Sequence, residues 1–446
     1  MEMQKDSGDD RISNLPNDIL VDILDRLNVG QAVRTSILSR RWSQLLAGLP
    51  RLTISARNFI RPRSRLSDGE FRRINAAVVE ATKSMLACRD HPGGCTIRLL
   101  NTEFYLRDDA PVSIGRIVGD AMATHKIEEA AFTVWTVKAR LRCTVDDMNS
   151  SFAEPDFVSN ILGTCKQLKY LCFINCGTLG FIELIVEHAE LTELNFVNCR
   201  FDKIQFKGLP RLTRTAFDNW GTYEELPLSF GHVPSLQALT LKNTALKWHK
   251  MVNLSTLLSE THVEGLRLGF TSEKIWVQPE CLTRRLSCAL HRLRTVTFYN
   301  IPQGYDLTWT MFILEAAPSL LEFYMLVMDH PCEMEMDEER RRELSYSEKK
   351  GVEWESTTSN FKHHRLTKLI IFCFESKLYM VHHVNRVMKA AVNLQDVYLY
   401  NKLTCRRCAH VKKPTRFPQS GKQRCSNREV MTKDVESPAR NSLPEP

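Results

Sequence analysis

Apolar residues in the first fifty positions recur with the period of a helix. In "NLPNDILVDILDRLN" (14–28), Ile19, Leu20, Ile23, Leu24 and Leu27 cover a wide stripe. Pro16 suits the first turn of that helix, and Asp18 lies near its positive end. A second short helix is expected in "QAVRTSIL", which carries Ala32, Val33, Ile37 and Leu38. In "SILSRRWSQLLAGLP" (36–50), Trp42, Leu45, Leu46 and Leu49 fall at i, i+3, i+4 and i+7, behind Ser39 as a helix cap. Trp42 is thus a buried or interface anchor, with Arg40 and Arg41 beside its face rather than on a nucleic-acid backbone. Three short helices carry more apolar surface than so small a unit buries by itself, so the module is expected to dock on something.

Beyond residue 90 the pattern changes to a loose repeat. An apolar residue, two others, an apolar residue, one other and a third apolar residue recur down the chain. The clear copies are Leu168-Leu171-Phe173, Leu191-Leu194-Phe196, Leu236-Leu239-Leu241 and Leu293-Val296-Phe298. They continue as Leu320-Phe323-Met325, Leu366-Leu369-Ile371 and Leu394-Val397-Leu399. Weaker copies stand at Ile127-Ala130-Phe132, Leu212-Thr215-Phe217 and Val263-Leu266-Leu268. From Leu168 to Leu320 the copies start 21 to 30 residues apart, close to the leucine-rich-repeat range. One such unit cannot cover its own apolar face, so each is expected to give one short strand of a stacked parallel sheet, with helices or irregular turns outside. Cys176 and Cys199, eight residues after the first apolar position, occupy the bend and read as structural.

The N-terminal stretch "RISNLPNDILVDILDRLNVGQAVRTSILSRRWSQLLAGLPRLTI" strongly resembles the F-box of plant F-box/leucine-rich-repeat proteins. The Leu15-Pro16 opening, the Ile/Leu ladder and "SILSRRW" carry the likeness. The segments "VEWESTTSNFKHHRLTKLIIF" and "VHHVNRVMKAAVNLQDVYLYNKLTC" resemble the C-terminal region of grass members of that family. The resemblance implies an α/β fold, with an N-terminal three-helix F-box followed by a degenerate leucine-rich-repeat solenoid with a curved parallel sheet. It also implies a surface that docks a Skp-type adaptor, formed by Leu15, Pro16, Ile19, Leu20, Ile23, Leu24, Leu27, Val33, Leu38 and Trp42. Through that adaptor the chain would join a cullin–RING ubiquitin ligase, and its repeats would hold an unidentified target protein. The expected domains are a disordered N-terminus (1–10), the F-box (11–54), a linker and helix (55–90) and the repeats (91–404). The repeats are interrupted by a charged loop at 333–360, and a basic disordered tail (405–446) follows.

Composition adds constraints rather than chemistry. The 446 residues suffice for two or more domains, and a net charge of +8 does not demand a polyanionic partner. The polar start "MEMQKDSGDD" does not read as a secretory signal, and no apolar run reaches membrane-spanning length. A cytoplasmic or nuclear location follows, with the 14 cysteines reduced and without a membrane or nucleic-acid partner. Cys405 and Cys408 form one CxxC, without the paired ligands of a zinc site. The pairs His363-His364 and His382-His383 point apart within each pair and read as solvated. No nucleotide, hydrolase or protease motif occurs, so neither catalysis nor a metal or cofactor is expected. The alternative to a ligase subunit is a repeat scaffold that binds a protein.

Strand alternation locates the expected target face. The first, fourth and sixth positions of each unit face the core, so the third, fifth and seventh face the other way. Those positions read Tyr170, Glu193, Asn195, Asp218, Lys242 and Arg267 early in the arc. Later they become aromatic, and Tyr299, Tyr324, Phe372, Tyr398 and Tyr400 form the expected target-binding set.

Overall fold

The computed structural model describes the chain from Ile12 to Tyr400 and two strands within 424–433. The main stretches outside the described residues are 1–11, 62–66, 90–95, 136–156, 177–182, 244–248, 329–360, 401–423 and 434–446. The expected N-terminal tail, the 333–360 loop, Leu38 and the CxxC therefore lie outside them, as does the side chain of Val33. The chain divides into two compact units, Met1–Gly180 with His188–Leu191, and Phe181–Glu187 with Thr192–Pro446.

The first unit begins with helices α1 (Asn17–Asp25), α2 (Val29–Ser36) and α3 (Arg40–Ala47). Pro16 precedes α1 as its cap residue, and its carbonyl accepts from Leu20 N at 3.1 Å. The Ser39 hydroxyl accepts from Trp42 N at 3.3 Å, which stops the first turn of α3 from fraying. Arg41 is half-buried, and its guanidinium is engaged within the module. It donates to the Leu15 carbonyl at 2.6 Å and to Asn17 Oδ1 at 2.8 Å, tying α3 to the start of α1.

Strands β1 (Arg51–Ser55), β2 (Ile97–Tyr105), β3 (Ile127–Trp135) and β4 (Leu168–Ile174) follow, each parallel to the next. The sheet thus starts at residue 51 rather than at 91, because "RLTIS" already alternates outward and inward. Helix α4 (Asp68–Ala87) fills much of the expected linker and buries Phe71, Ile74, Val78 and Leu86. Its Asn75 grips the end of β2, donating to Tyr105 O at 2.8 Å and accepting from Tyr105 N at 2.9 Å. Helix α5 (Ala110–Ala123), opened by Pro111, covers the next crossover.

In the second unit a small parallel sheet of β5 (Glu183–Glu187), β7 (Lys203–Gly208) and β9 (Leu228–His232) accompanies the early repeats. The main sheet runs through β6 (Glu193–Val197), β8 (Arg214–Asp218), β10 (Ala238–Asn243), β11 (Gly265–Phe270) and β12 (Thr295–Pro302). It continues through β13 (Glu322–Met328), β14 (Lys368–Phe372) and β15 (Asp396–Tyr400), all parallel. The first, fourth and sixth positions of the repeat are buried in every copy, including the weak ones. Core rings run from repeat to repeat: Phe196–Phe217 at 5.7 Å, then through Trp220 and Trp276 to Phe270, which follows two residues after the sixth position of its copy, and on as Phe270–Phe298 at 6.3 Å and Phe298–Phe323 at 5.7 Å. Each fully buried Leu or Phe of the repeats contributes roughly 1.5–3 kcal/mol.

Each strand must then turn sharply outward, and asparagine makes the turn. Asn175, Asn198, Asn219 and Asn300 adopt left-handed φ of 51° to 64°, which asparagine tolerates better than most residues. Asn198 N reaches Asp218 O at 2.8 Å, Asn219 N reaches Lys242 O at 2.7 Å, and Asn219 Nδ2 donates to Asn198 Oδ1 at 3.1 Å. All four stand seven residues after the first apolar position, a signal in the sequence that the apolar pattern alone overlooks.

The C-terminal tail departs from its expected disorder in one place. Strand β17 (Arg428–Lys433) pairs parallel to β15, matching Val397 with Val430 and Leu399 with Thr432, and β16 (Arg424–Cys425) pairs antiparallel to it. Val430 and Thr432, two β-branched residues at alternate positions, are the strand formers within its polar surroundings.

Candidate functional site

The expected adaptor surface separates into two sets of residues with different work. Leu20, Leu24 and Trp42 are 0%, 1% and 7% exposed, so they bind the helices to one another and present nothing to a partner. Leu15 and Leu27 are half-buried. Pro16, Ile19 and Ile23 face outward, with Ile19 45% and Ile23 37% exposed. The α1 stripe is wider than one small core can cover, which leaves its edge uncovered. Ile12, Ile19 and Ile23 make up three of the seven exposed large apolar side chains among the described residues. The acids Asp18 and Asp22 are exposed on the same helix, and Asp22 accepts from Arg26 at 2.8 Å.

The second region is the outward face of the repeat sheet in the second unit. Register places Tyr324, Ile370 and Tyr398 side by side on β13, β14 and β15. Phe372 and Tyr400 stack with centroids 4.9 Å apart and planes at 9°, and Tyr398 and Tyr400 lie 6.3 Å apart. The Tyr324 hydroxyl donates to Glu322 Oε2 at 2.7 Å, while Lys368 Nζ donates to Glu322 Oε1 at 2.9 Å. These two donors hold the Glu322 carboxyl below its ordinary range, and burial with the nearby carboxylate pushes the Tyr324 phenol up to about 12. Tyr299 differs from the other four. Its ring lies over Gly269, where a Cβ would collide with it, so Tyr299 is part of the floor rather than a projecting anchor. Burial first, and then the Asp218 carboxylate, raise its phenol pKa.

The polar residues elsewhere are mostly structural. His363 and His383 are 2% and 0% exposed, whereas His364 and His382 face solvent. The members of each pair do point apart, but the solvated reading fails for the inner one. His363 Nε2 bonds the Ala317 carbonyl at 2.9 Å, and its Nδ1 accepts from Leu366 N at 2.9 Å. His188 makes the same bracket in the first unit, bonding Cys165 O at 3.0 Å and accepting from Glu190 N at 3.2 Å. The signal was there: each histidine stands three residues before a repeat's first leucine. Cys176 and Cys199 are 1% exposed, with Sγ donating to Ile174 O at 3.5 Å and Val197 O at 3.4 Å, which fits their structural reading. Among the described residues no helix is long and apolar enough to cross a membrane, and no group of three acids, histidines or cysteines is placed to hold a metal.

Comparison with known proteins identifies two domains in the chain. Residues 12–53 match the F-box domain model, and residues 152–433 match the model described as At1g61320/AtMIF1, LRR domain. The latter runs past residue 404 to the end of β17, beyond the boundary expected from sequence. The chain is 26% identical over 234 residues to the Arabidopsis thaliana F-box/LRR-repeat protein At5g54820, covering 52% of this chain and 43% of that protein. It is 26% identical over 271 residues to F-box/LRR-repeat protein At3g59200 of the same plant, covering 58% and 50%. Over 85 residues it is 39% identical to MEIOTIC F-BOX protein MOF of Oryza sativa subsp. japonica, covering 19% and 17%. The matched segment spans half or less of each of these relatives.

Proposed function

The chain belongs to the plant F-box/leucine-rich-repeat family, and from that premise we propose that it is a substrate receptor of an SCF-type cullin–RING ubiquitin ligase. Its first unit docks a Skp-type adaptor through Pro16, Ile19 and Ile23, and its repeats hold a target protein. The chain itself is a non-catalytic adaptor: ubiquitin transfer is accelerated by proximity, since the repeats hold the target near chemistry supplied by the partners. It works in the cytoplasm or nucleus. The observation that carries the reading is the pair of exposed isoleucines on α1, kept outside a core that Leu20, Leu24 and Trp42 complete without them.

The test is co-purification of the full chain with a Skp-type adaptor. Ile19→Asp with Ile23→Asp should lower adaptor affinity at least about a hundredfold, as loss of central apolar anchors does, with an unchanged melting temperature. Leu20→Ala should act differently, lowering the stability of the helices by about 2–5 kcal/mol and adaptor binding only as a consequence. Full adaptor affinity in the double variant would favour the alternative, a repeat scaffold that works without a ligase.

A further inference from the structure

In the second unit the outward face of the sheet balances its charges early in the arc but not late in it. Early on, Glu193 has Arg214 at 3.1 Å and Asp218 has Lys242 at 2.9 Å. On β13, β14 and β15 one row reads Glu322, Lys368 and Asp396, each in register with the next. One cation thus stands between two carboxylates. Lys368 Nζ is bonded to Glu322 Oε1 at 2.9 Å, and Glu322 Oε2 takes the Tyr324 hydroxyl. Asp396 attracts Lys368 only at longer range. Among the described residues no hydrogen bond or close ion pair reaches the Asp396 carboxylate, and the row keeps one negative charge in excess.

The same face is aromatic beyond that row. Tyr398 follows Asp396 by two residues on β15 and Tyr400 by four, and all three are half-buried. Tyr398 and Tyr400 lie 6.3 Å apart with planes at 17°, and Phe372 stacks on Tyr400 at 4.9 Å. β17 places Lys433 in register with Tyr400, so the acidic end of this strip is the Asp396 end. There a carboxylate and the Tyr398 ring stand about 7 Å apart along one strand face. A ring face is negative and attracts a cation within about 6 Å of its centre, above all a planar guanidinium that stacks on it. The first unit makes such a contact within the chain, where Arg57 lies over the Trp135 ring at 4.1 Å.

We propose that Asp396 and Tyr398 receive an arginine of the target protein, its guanidinium stacked on the phenol ring and forked onto the carboxylate. The proposal rests on the receptor reading above and names a side-chain chemistry that the repeats recognise. A guanidinium offers two parallel hydrogen bonds and a flat face at once, which a compact ammonium does not. An acidic side chain would meet Asp396 as a like charge. An apolar one would cover that carboxylate and leave it without a partner.

The experiment passes the full chain over surface-bound Gly/Ser peptides that hold arginine. Matched peptides hold citrulline, lysine, phenylalanine or glutamate in its place. The chain carries a net charge of +8, so indiscriminate attraction would favour glutamate. Arginine peptides should instead retain about tenfold more protein than citrulline peptides, which have the same shape without the charge. Asp396→Asn, an isosteric change, should lower that ratio about fivefold. Tyr398→Leu should lower it severalfold, whereas Tyr398→Phe should keep it. If Tyr398→Leu lowers the melting temperature, Tyr398→Met serves in its place. Equal or no retention of arginine and citrulline peptides, or a ratio that Asp396→Asn leaves unchanged, overturns the proposal. Stronger retention of phenylalanine or of glutamate than of arginine overturns it too, the former by showing a plain apolar surface. Equal retention of lysine overturns the guanidinium assignment. Adaptor capture by the same preparations reads the α1 surface separately, so failure here is distinguishable from failure of the receptor reading.

Discussion

His383 carries an imidazole with no hydrogen-bond partner among the described residues on either ring nitrogen, inside the core of the second unit and 6.2 Å from the Phe323 ring. Burial pushes its pKa down from 6.5 to about 4, with the Asp306 carboxylate opposing and Arg386 assisting. His188 and His363 are lowered too, again by burial first. All three are neutral in the folded chain and bind protons more readily once unfolded. Stability therefore falls as acid titrates the unfolded state, and for His383 the fall runs from about pH 6.5 down to about 4. For His383 alone the full loss is about 3 kcal/mol. His383→Leu should therefore flatten this acid limb and raise the midpoint of urea unfolding at neutral pH, because it also removes two buried polar atoms without partners. Urea titrations at several pH values check both effects, and an unchanged acid limb would contradict them. The residue scale was the least legible in the sequence. The outward and inward positions of the repeat could be read from alternation, but not which of two adjacent histidines a neighbouring repeat would cover. Arg41 shows the same limit: its two bonds to the start of α1 depend on how the helices cross, and no spacing reports that.

Elements were far more legible, because period is a property of one segment. The stripe on α1, the Ser39 cap and every copy of the repeat appear where the pattern puts them. Several strands were missed, among them β2 and the small sheet of β5, β7 and β9; β1 and β17, at the two margins of the repeat, carry only one short alternation each. β1 was absorbed into the helical module before it, and β17 was hidden in basic, polar surroundings. The omission of β17 changes a prediction. A disordered tail could be removed without cost, whereas β17 covers the hydrogen-bonding edge of β15 over four residue pairs. Deleting 424–446 should lower the melting temperature and promote concentration-dependent association through the bared edge, while deleting 434–446 should do neither. Thermal scans with light scattering compare the two truncations. Identical behaviour would mean that the pairing of β17 contributes nothing to the fold in solution.

At the scale of the whole second unit, stability is built from neighbours. Each strand of the main sheet pairs only with the strands beside it, and the series of core rings passes from one repeat to the next without a common centre. Such an array behaves as a sum of repeat energies and interface energies, so damage in the middle divides it into two shorter arrays. Leu268 is 0% exposed on β11, with parallel partners on both sides, whereas Leu399 on β15 lies near the end. Both Leu→Ala changes remove a similar buried side chain, each costing about 2–5 kcal/mol locally. Their consequences should differ. Leu268→Ala should turn one urea transition of the unit into two, with hydrogen exchange in β10, β11 and β12 rising first. Leu399→Ala should leave one main transition and raise exchange only in β14 and β15. A single globular core would instead transmit either loss evenly, giving one shifted transition and a uniform rise in exchange for both variants. Exchange measured strand by strand therefore decides whether the repeats fold as a chain of neighbours.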